Sequence, residues 1–259
     1  VNMDYLTPIF KKFKFLDNSN NKFLNVGSLK TVDYGSFFDE RLETLSDKIV
    51  DSYPTDVENG LISFKTGKIP KDGYKIQISN RRLNITVSTL SGAYYALVTF
   101  EELASKFKGM IPPLEIVDYP DLEIRGFMLD ISRSKVPKVE TIYKYIDLLS
   151  KLKYNHLELY VEGFTFEYKS MPFVNSDMNH ITVNEYKQIE KYCYDHFIDL
   201  VPNQNGFGHM TEWLKLDEFK HLANVDGLFN IWGSNRSSST LDPTNVESYE
   251  LVKKIYEDM

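Results

Sequence analysis

The chain has 259 residues, of which 42% are apolar and 26% are charged, the balance of an ordinary globular protein. Its formal net charge is −7 and it has no basic stripe, so the composition argues against a nucleic-acid partner. No apolar run approaches the roughly 18 residues that cross a bilayer, so we expect no membrane partner. The length accommodates either one full (β/α)8 barrel, at roughly 250 residues, or two smaller domains.

The single cysteine, Cys193, excludes a disulfide framework and a cysteine-based metal site. It falls on the apolar side of a predicted helix, which favours a buried structural thiol. The histidines lack metal-ligand spacing, so we expect no metal and no cofactor. Lys11, Lys12 and Lys14 interrupt any apolar core near the N-terminus, so no signal peptide is predicted in this chain. Both a cytoplasmic and a secreted bacterial location stay open.

Residues 1–118 have the pattern of a small α+β domain. Residues 74–79 and 83–88 alternate apolar and polar side chains on either side of residues 80–82, which predicts an antiparallel hairpin. Residues 116–121, reading IVDYPD, are predicted to form a linker. Further elements predicted in this half are a strand at residues 61–64 and helices at residues 39–53 and 91–107.

From residue 119 the pattern changes to strands that alternate with helices. Strands are predicted at residues 125–131, 156–161 and 198–202. Pro137 opens the first helix, and Thr182 and Glu185 form a capping box for the second. In the third helix, four apolar residues share one face: Val246, Tyr249, Val252 and Tyr256.

Strand–helix repetition predicts parallel strands with right-handed crossovers. Long connections follow the second and third strands, on the side where β/α barrels build active sites. No glycine-rich phosphate turn follows the first strand, which disfavours an open doubly wound sheet. We therefore predict an α/β chain. Residues 119–259 form a partial TIM (β/α)8 barrel, its first three β/α units, preceded by the small α+β domain at residues 1–118.

Candidate functional residues accompany the first two barrel strands. Arg125, Asp130 and Arg133 surround the first strand in the stretch IRGFMLDISR. An arginine at a strand start can project into a barrel and hold sugar hydroxyls or a carboxylate through its planar fork. An Arg–Asp pair that braces the strand explains the same spacing. Glu162 ends the second strand, where a carboxylate is either a catalytic or hydroxyl-binding group or a solvated strand end.

The third strand leads into VPNQNGFGHMTEWL. Three amides in a row, at residues 203–205, predict a polar pocket wall. Gly206 and Gly208 permit a tight turn that leaves His209 near that wall. Trp213 is expected to pack in the core, with sugar stacking as the alternative. Neither HExxH nor G-x-S-x-G occurs, which argues against a zinc protease and a nucleophile elbow.

Taken together, these segments resemble the family 20 glycoside hydrolases, the β-N-acetylhexosaminidases. The likeness rests on RGFMLDISR after a D-Y-P linker, on a strand that ends in YVE, and on VPNQNGFGHMTEWL. It extends to the hairpin and to the helix SGAYYALVTFEEL, so it covers most of residues 61–259. The NQNGFGH segment departs from the more usual acidic, proline-containing loop of the family.

This resemblance implies an enzyme that removes terminal N-acetylglucosamine or N-acetylgalactosamine from glycans with retention of configuration. The substrate's own acetamido oxygen is the nucleophile in such enzymes. The family's Asp–Glu pair would lie beyond Met259, so no catalytic residue is assigned here and we expect an inactive fragment. By the same resemblance, Arg125, Glu162, Asn205 and His209 would bind the sugar.

A carbohydrate substrate is therefore the expected partner. An open partial barrel would also expose a strand edge and apolar faces, so we expect self-association through that edge. Two alternatives stay open, a noncatalytic carbohydrate-binding module and a different barrel glycoside hydrolase.

Overall fold

A computed structural model describes residues 8–17, 22–79, 81–133, 135–175 and 179–259. The described residues form two compact units. Unit 1 contains the described residues up to Arg125 together with Asp147–Asn155 and Asp195–Phe197. Unit 2 contains Gly126–Ile146, His156–Tyr194 and Ile198–Met259. Asn80, in the predicted hairpin turn, and residues 1–7 lie outside the described residues.

Unit 1 contains a mixed sheet with two long helices. Its strands are β1 (Lys12–Phe15), β2 (Leu24–Asn25), β3 (Thr31–Asp33), β4 (Leu61–Thr66), β5 (Tyr74–Ser79), β6 (Arg82–Val87), β7 (Met110–Ile111) and β8 (Leu114–Asp118). Its helices are α1 (Glu40–Asp51) and α2 (Leu90–Lys106), and a 3-10 turn covers Val26–Ser28. Six strands form one sheet in the order β1-β8-β5-β6-β4-β3, and β2 pairs with β7. The pairs β3/β4 and β4/β6 are parallel and the others are antiparallel.

The predicted hairpin of unit 1 is confirmed, with a shorter turn. Ser79 pairs with Arg82, so Arg82 begins β6 instead of lying in the turn. Arg81 has a positive φ of 66°, as a tight two-residue hairpin turn requires. Alternate side chains of β5 are buried, and α2 packs on β5 and β6. The helix begins after Thr89, whose hydroxyl accepts a hydrogen bond from the Gly92 amide at 3.1 Å.

The prediction of a linker at residues 116–121 is wrong for residues 116–118. These residues belong to β8, which lies between β1 and β5 in the sheet. At the end of this strand, Asp118 Oδ2 lies 3.2 Å from Lys153 Nζ and accepts a hydrogen bond from the Tyr74 hydroxyl at 3.0 Å. Lys153 Nζ also donates to the Tyr74 oxygen at 2.6 Å. Burial lowers the pKa of Lys153, and the neighbouring Asp118 carboxylate opposes that shift. The D-Y-P segment thus ends a sheet strand with a buried ion pair.

The remaining strands are β9 (Gly126–Asp130), β10 (His156–Val161), β11 (Asp199–Gln204), β12 (Leu228–Ile231) and β13 (Ser234–Ser237). The remaining helices are α3 (Val139–Lys151), α4 (Val183–Asp195), α5 (Thr211–Leu214) and α6 (Val246–Asp258), with 3-10 turns at Pro172–Asn175 and Lys220–Leu222. Strands β9, β10 and β11 form a parallel sheet in the order β11-β10-β9. Parallel strands that alternate with helices give the chain an α/β fold, as predicted. In the described part of the chain, no helix is long and apolar enough to cross a membrane.

The sequence pattern explains how these elements form. On β10, Leu157, Leu159 and Val161 are fully buried, while the opposite face carries polar side chains. The predicted capping box of α4 is present, because Thr182 N donates to Glu185 Oε2 at 2.8 Å and Glu185 N donates to Thr182 Oγ1 at 3.2 Å. The apolar stripe of α3 is buried once per turn, at Ile142, Ile146 and Leu149.

Two sequence expectations need correction at the end of the chain. Strand β11 extends to Gln204, so two of the three amides predicted beyond the strand lie within it. The four apolar residues of α6 do share a face, but only Val252 among them is buried. The buried side of this helix is formed by Ser248, Leu251 and Ile255 with that valine.

Trp213 and Cys193 both belong to the interior of unit 2. Trp213 is 0% exposed and meets the rings of Phe164 and Tyr168 edge-on at 5.0 Å between centroids. The core interpretation of Trp213 is therefore confirmed, and the sugar-stacking alternative is wrong. Cys193 is also buried, and burial raises the pKa of its thiol to about 12.

Candidate functional site

Polar side chains gather where the three parallel strands of unit 2 end. Strand β9 ends at Asp130, Glu162 follows β10, and Asn205 follows β11. The carboxyl ends of parallel strands share one edge of a sheet, and ligands of α/β proteins bind beside that edge. We call this group the carboxyl-edge cluster, and its members are Asp130, Arg133, Tyr160, Glu162, Asn205 and His209.

Glu162 is the centre of the cluster. Its Oε2 accepts a hydrogen bond from the Tyr160 hydroxyl at 2.9 Å and lies 2.9 Å from Arg133 Nη2. His209 Nδ1 approaches the same oxygen at 3.5 Å. The backbone is held as well, because the Glu162 amide donates to Ser132 Oγ at 2.7 Å. The carboxylate is thus oriented by three side chains from three segments while 26% of its surface stays exposed.

Arg133 joins the first strand to this carboxylate. Its Nη1 lies 2.6 Å from Asp130 Oδ2, and its guanidinium stands over the Tyr160 ring at 5.2 Å from the centroid. Hydrogen bonding, first to Tyr160 and then to Asp130, raises the pKa of Arg133. Because more than half of the guanidinium side chain is exposed, its ion pairs are partly solvated and weak. A ligand can therefore replace them at small free-energy cost.

His209 and Asn205 close the cluster from the third strand. Asn205 Nδ2 donates to the Tyr160 oxygen at 2.8 Å. His209 adopts a positive φ of 57°, a conformation that costs a non-glycine residue of order 1–3 kcal/mol. Two backbone hydrogen bonds hold its neighbours in place, from Met210 N to Ser239 O at 2.8 Å and from Leu241 N to Phe207 O at 2.9 Å. The strained histidine is therefore fixed beside Glu162 by its own flanking backbone.

A second polar layer lies on the same sheet face. His156 Nε2 is 2.7 Å from Glu158 Oε1, and Asn203 Nδ2 donates to Glu158 Oε2 at 2.7 Å. Asn203 Nδ2 also lies 3.4 Å from Met128 Sδ. The hydrogen bonds from His156 and then Asn203 lower the pKa of Glu158. This face is therefore polar from the middle of the strands to their carboxyl ends.

Three of the four residues expected to bind sugar come together here, namely Glu162, Asn205 and His209. Arg125 lies in unit 1 with other partners. Its Nε donates to Lys153 O at 2.7 Å, its Nη1 to Leu122 O and Glu123 O at 2.9 and 3.0 Å, and its Nη2 to the Tyr95 hydroxyl at 3.1 Å. These four hydrogen bonds favour a bracing role for Arg125. Its contact with sugar stays a prediction.

Tyr160 was not among the predicted residues, and Arg133 was predicted only as a candidate beside the first strand. Tyr160 stands at the last outward position of β10, where His156 and Glu158 already mark a polar face. That alternation is the signal that could have found it. The Arg–Asp pair expected from spacing is present between Arg133 and Asp130, and Glu162 joins it from the next strand.

The cluster offers a forked cation, carboxylates, a phenol, an amide and an imidazole. This set can exchange hydrogen bonds with several hydroxyl or amide groups of one ligand. Within the described ranges, no group of three or more His, Cys, Asp or Glu side chains is arranged to hold a metal ion.

Comparison with known protein families identifies the class of protein. The model for the catalytic domain of glycosyl hydrolase family 20 matches residues 122–259. The model for domain 2 of the same family matches residues 20–119. The chain therefore belongs to glycosyl hydrolase family 20, which confirms the resemblance seen in the sequence.

Individual relatives are distant and longer. Beta-hexosaminidase 1 of Coccidioides posadasii is 24% identical over 226 residues, which cover 78% of this chain and 37% of the relative. A beta-hexosaminidase of Porphyromonas gingivalis is 25% identical over 192 residues, covering 64% of this chain and 24% of the relative. The matched part of the chain thus spans 24% to 37% of the length of these relatives.

Solved structures resemble the chain over nearly its whole length. A family 20 exo-β-N-acetylglucosaminidase from Vibrio harveyi, in complex with N-acetylglucosamine, has a TM-score of 0.77 at 20% identity and covers 96% of this chain and 44% of its own. A β-N-acetylhexosaminidase from Bacteroides fragilis has a TM-score of 0.75 at 23% identity and covers 97% of this chain and 53% of its own. At these identities the likeness shows the fold.

Proposed function

We propose that the carboxyl-edge cluster forms part of the pocket that holds a terminal N-acetylhexosamine in a β-N-acetylhexosaminidase. The observation that carries this proposal is the position of Glu162. It lies at the carboxyl end of a parallel strand, within the catalytic-domain match, and meets an arginine fork, a phenol and an imidazole. The relatives named above and the polar face beneath the cluster support it.

Each residue has a proposed role in binding. The exposed fork of Arg133 donates to two neighbouring sugar oxygens, and Glu162 accepts from a sugar hydroxyl. Asn205 and His209 line the same pocket, as the sequence suggests. We propose that Arg133 also meets the sugar, because its partners Asp130 and Glu162 are partly solvated carboxylates that a ligand can displace. The contact of Arg125 with the sugar stays a prediction from the family resemblance.

We further propose that β9, β10 and β11 with their helices are the first three units of a (β/α)8 barrel at residues 119–259. Residues 1–118 would then be the α+β accessory domain. The parallel strand order and the long connections after β10 and β11 support this assignment. Among the described residues, β9 and β11 each have one strand neighbour, so we propose that the isolated chain self-associates through these edges. Light scattering that reports a monomer at high concentration would contradict self-association.

For the reaction, we propose the retaining, substrate-assisted route, in which the acetamido oxygen of the sugar attacks its own anomeric carbon. The residues of this chain bind and orient the sugar ring. The acid/base pair is proposed to be outside these 259 residues, so the chain alone is expected not to turn over substrate. General acid–base help is worth roughly 10²–10⁴-fold. Hydrolysis of a chromogenic N-acetylglucosaminide by the 259-residue chain would contradict this part of the proposal.

The binding proposal is tested by titrating the isotope-labelled chain with N-acetylglucosamine and following backbone amide resonances. We expect shifts confined to residues 130–133, 160–162 and 205–209. Arg133→Lys keeps the charge but removes the fork, so it should weaken binding by roughly 10-fold or more, in line with about 1.5–3 kcal/mol for a charge-assisted hydrogen bond.

Arg82→Lys is the matched control, because Arg82 is an exposed arginine of unit 1. It should leave the affinity unchanged. Glucose in place of N-acetylglucosamine should bind more weakly. Shifts scattered over both units, or equal affinities for the Arg133 variant and the parent, would show that the cluster is not the sugar site.

A further inference from the structure

The excursion between β11 and α6 carries a hairpin with an exposed tryptophan at its tip. Strands β12 and β13 pair so that Ile231 faces Ser234, which leaves Trp232 and Gly233 as the two-residue turn. Both have a positive φ, 49° for Trp232 and 79° for Gly233. The side chain of Trp232 is 92% exposed. A large aromatic side chain thus stands almost fully exposed at the hairpin tip.

A tryptophan is an unfavourable residue for this turn. Turns with two positive φ values strongly prefer Asn, Asp or Gly, and a bulky residue there is an outlier. The indole also contributes almost nothing to the stability of the fold through hydrophobic burial, because its apolar surface stays in water. The strained and exposed indole therefore suggests a function outside the folding of the hairpin.

The hairpin is anchored to the backbone that carries His209. Its return strand leads directly to Ser239 and Leu241, the residues that hydrogen-bond to Met210 and Phe207 on either side of that histidine. Ser238, at the foot of the hairpin, is buried and donates to Asn224 Oδ1 at 2.7 Å. The hairpin therefore extends from the wall of the carboxyl-edge cluster.

One face of the hairpin is polar and leads to a hollow. Asn230 and Asn235 face each other across the strands, with Asn230 Nδ2 3.3 Å from Asn235 Oδ1. On the same face, Leu228 and Ser237 line a hollow of about 510 Å³ at the foot of the hairpin. The hollow is also bordered by α5, which begins two residues after His209. Amides, hydroxyls and an indole along one surface suit the polar edges and apolar faces of sugar rings.

We propose that this surface, from the hollow at the hairpin foot to Trp232 at its tip, binds the sugar units of the glycan that follow the terminal residue. This inference rests on the proposed function, because the terminal sugar is placed in the carboxyl-edge cluster. Residues 226–237 contain one acid, Asp226, and one base, Arg236. In the hollow, Lys215 and Lys220 are each paired with a carboxylate, Glu212 and Asp217 respectively. A neutral hairpin without a basic cluster fits an uncharged glycan better than an anionic membrane.

Fluorescence provides a specific test, because the chain has two tryptophans and the other, Trp213, is fully buried. Acrylamide quenching therefore reports on Trp232. The probes are N-acetylglucosamine and chitotriose, a chain of three such units. We expect chitotriose to shield Trp232 from acrylamide and the monosaccharide to leave it quenched. Chitotriose should also bind roughly 3- to 10-fold more tightly, the range expected for one aromatic contact.

Trp232→Asn removes the ring and improves the turn, because Asn-Gly is a preferred pair at such a turn. The variant should therefore fold. By amide resonance titration, it should bind chitotriose no more tightly than the monosaccharide, whose own affinity should be unchanged. Trp232→Tyr should recover part of the difference.

The outcomes separate the two proposals. Monosaccharide binding without any gain for chitotriose overturns the hairpin surface and leaves the pocket intact. Shielding of Trp232 by chitotriose without monosaccharide binding supports the hairpin surface and counts against the pocket. No shielding by either sugar, or shielding only by vesicles of phosphatidylcholine and anionic phosphatidylserine, overturns the hairpin surface.

Discussion

Replacement of Asp118 by Asn should destabilise the protein strongly, because it leaves a buried lysine without its counter-ion. The side chains of Asp118 and Lys153 are 9% and 10% exposed, and their charged atoms are 3.2 Å apart. Breaking such a pair from one side costs about 3–5 kcal/mol. The lysine can also lose its proton. Since pH 7 lies about 3.4 units below the ordinary lysine pKa, at about 1.36 kcal/mol per unit, deprotonation costs about 4.6 kcal/mol. Deprotonation therefore limits the electrostatic loss to about that value.

The assay is the free energy of unfolding from urea titrations at pH 7 and pH 10, followed by circular dichroism. In the variant, the folded-state pKa of Lys153 falls further below its unfolded value. Between these two pKa values the unfolded state binds more protons, so stability rises with pH and the deficit should shrink towards pH 10. Glu123→Gln is the control, because the Lys71–Glu123 ion pair is largely exposed and should contribute little to the free energy of unfolding. An Asp118 variant that loses no more than this control, or a loss independent of pH, would refute the reasoning.

Two further predictions concern packing and acid stability. Gly27→Ala should destabilise the protein by about 3 kcal/mol or more, because the added Cβ would lie 1.6 Å from Tyr53 O. Gly208→Ala is the control, because a Cβ at that position meets nothing within 4 Å. It should change the thermal midpoint little. The hydrogen bond from His156 lowers the pKa of Glu158 in the folded state. The ionised Glu158 therefore contributes fully to the stability of the fold above about pH 4.3, the ordinary glutamate pKa. This stabilisation is lost as the pH falls through the folded-state pKa. Glu158→Gln should therefore flatten the acid limb of a stability–pH curve measured in urea, and an unchanged limb would contradict that assignment.

Much of the fold follows from local patterns. Alternation on β5 and β10 gives both the strands and their buried faces, because side-chain direction in a strand has a period of two. The capping box at Thr182 and Glu185 sets the start of α4 through local hydrogen bonds. Such features depend on residues within a few positions of each other, so a single sequence contains them in full.

Features that depend on distant partners could not be predicted in the same way. Asp118 reads as part of a proline-bearing linker, yet its partners are Tyr74 and Lys153, 44 and 35 residues away. The exposed face of α6 was indistinguishable from a buried one, because Tyr249 and Tyr256 are apolar enough to suit either environment. The hairpin around Trp232 had no alternating pattern of apolar residues to mark it.

The two arginines of RGFMLDISR show that residue type alone does not define the environment of a side chain. Both stand beside the same strand, and both guanidinium groups are well supplied with acceptors. Arg125 donates to three backbone carbonyls, which are fixed by the chain, and to the Tyr95 hydroxyl. Arg133 meets the carboxylates of Asp130 and Glu162, which are partly solvated and can rotate away. The two arginines therefore differ in the mobility of their acceptors, and that property is set by the tertiary structure.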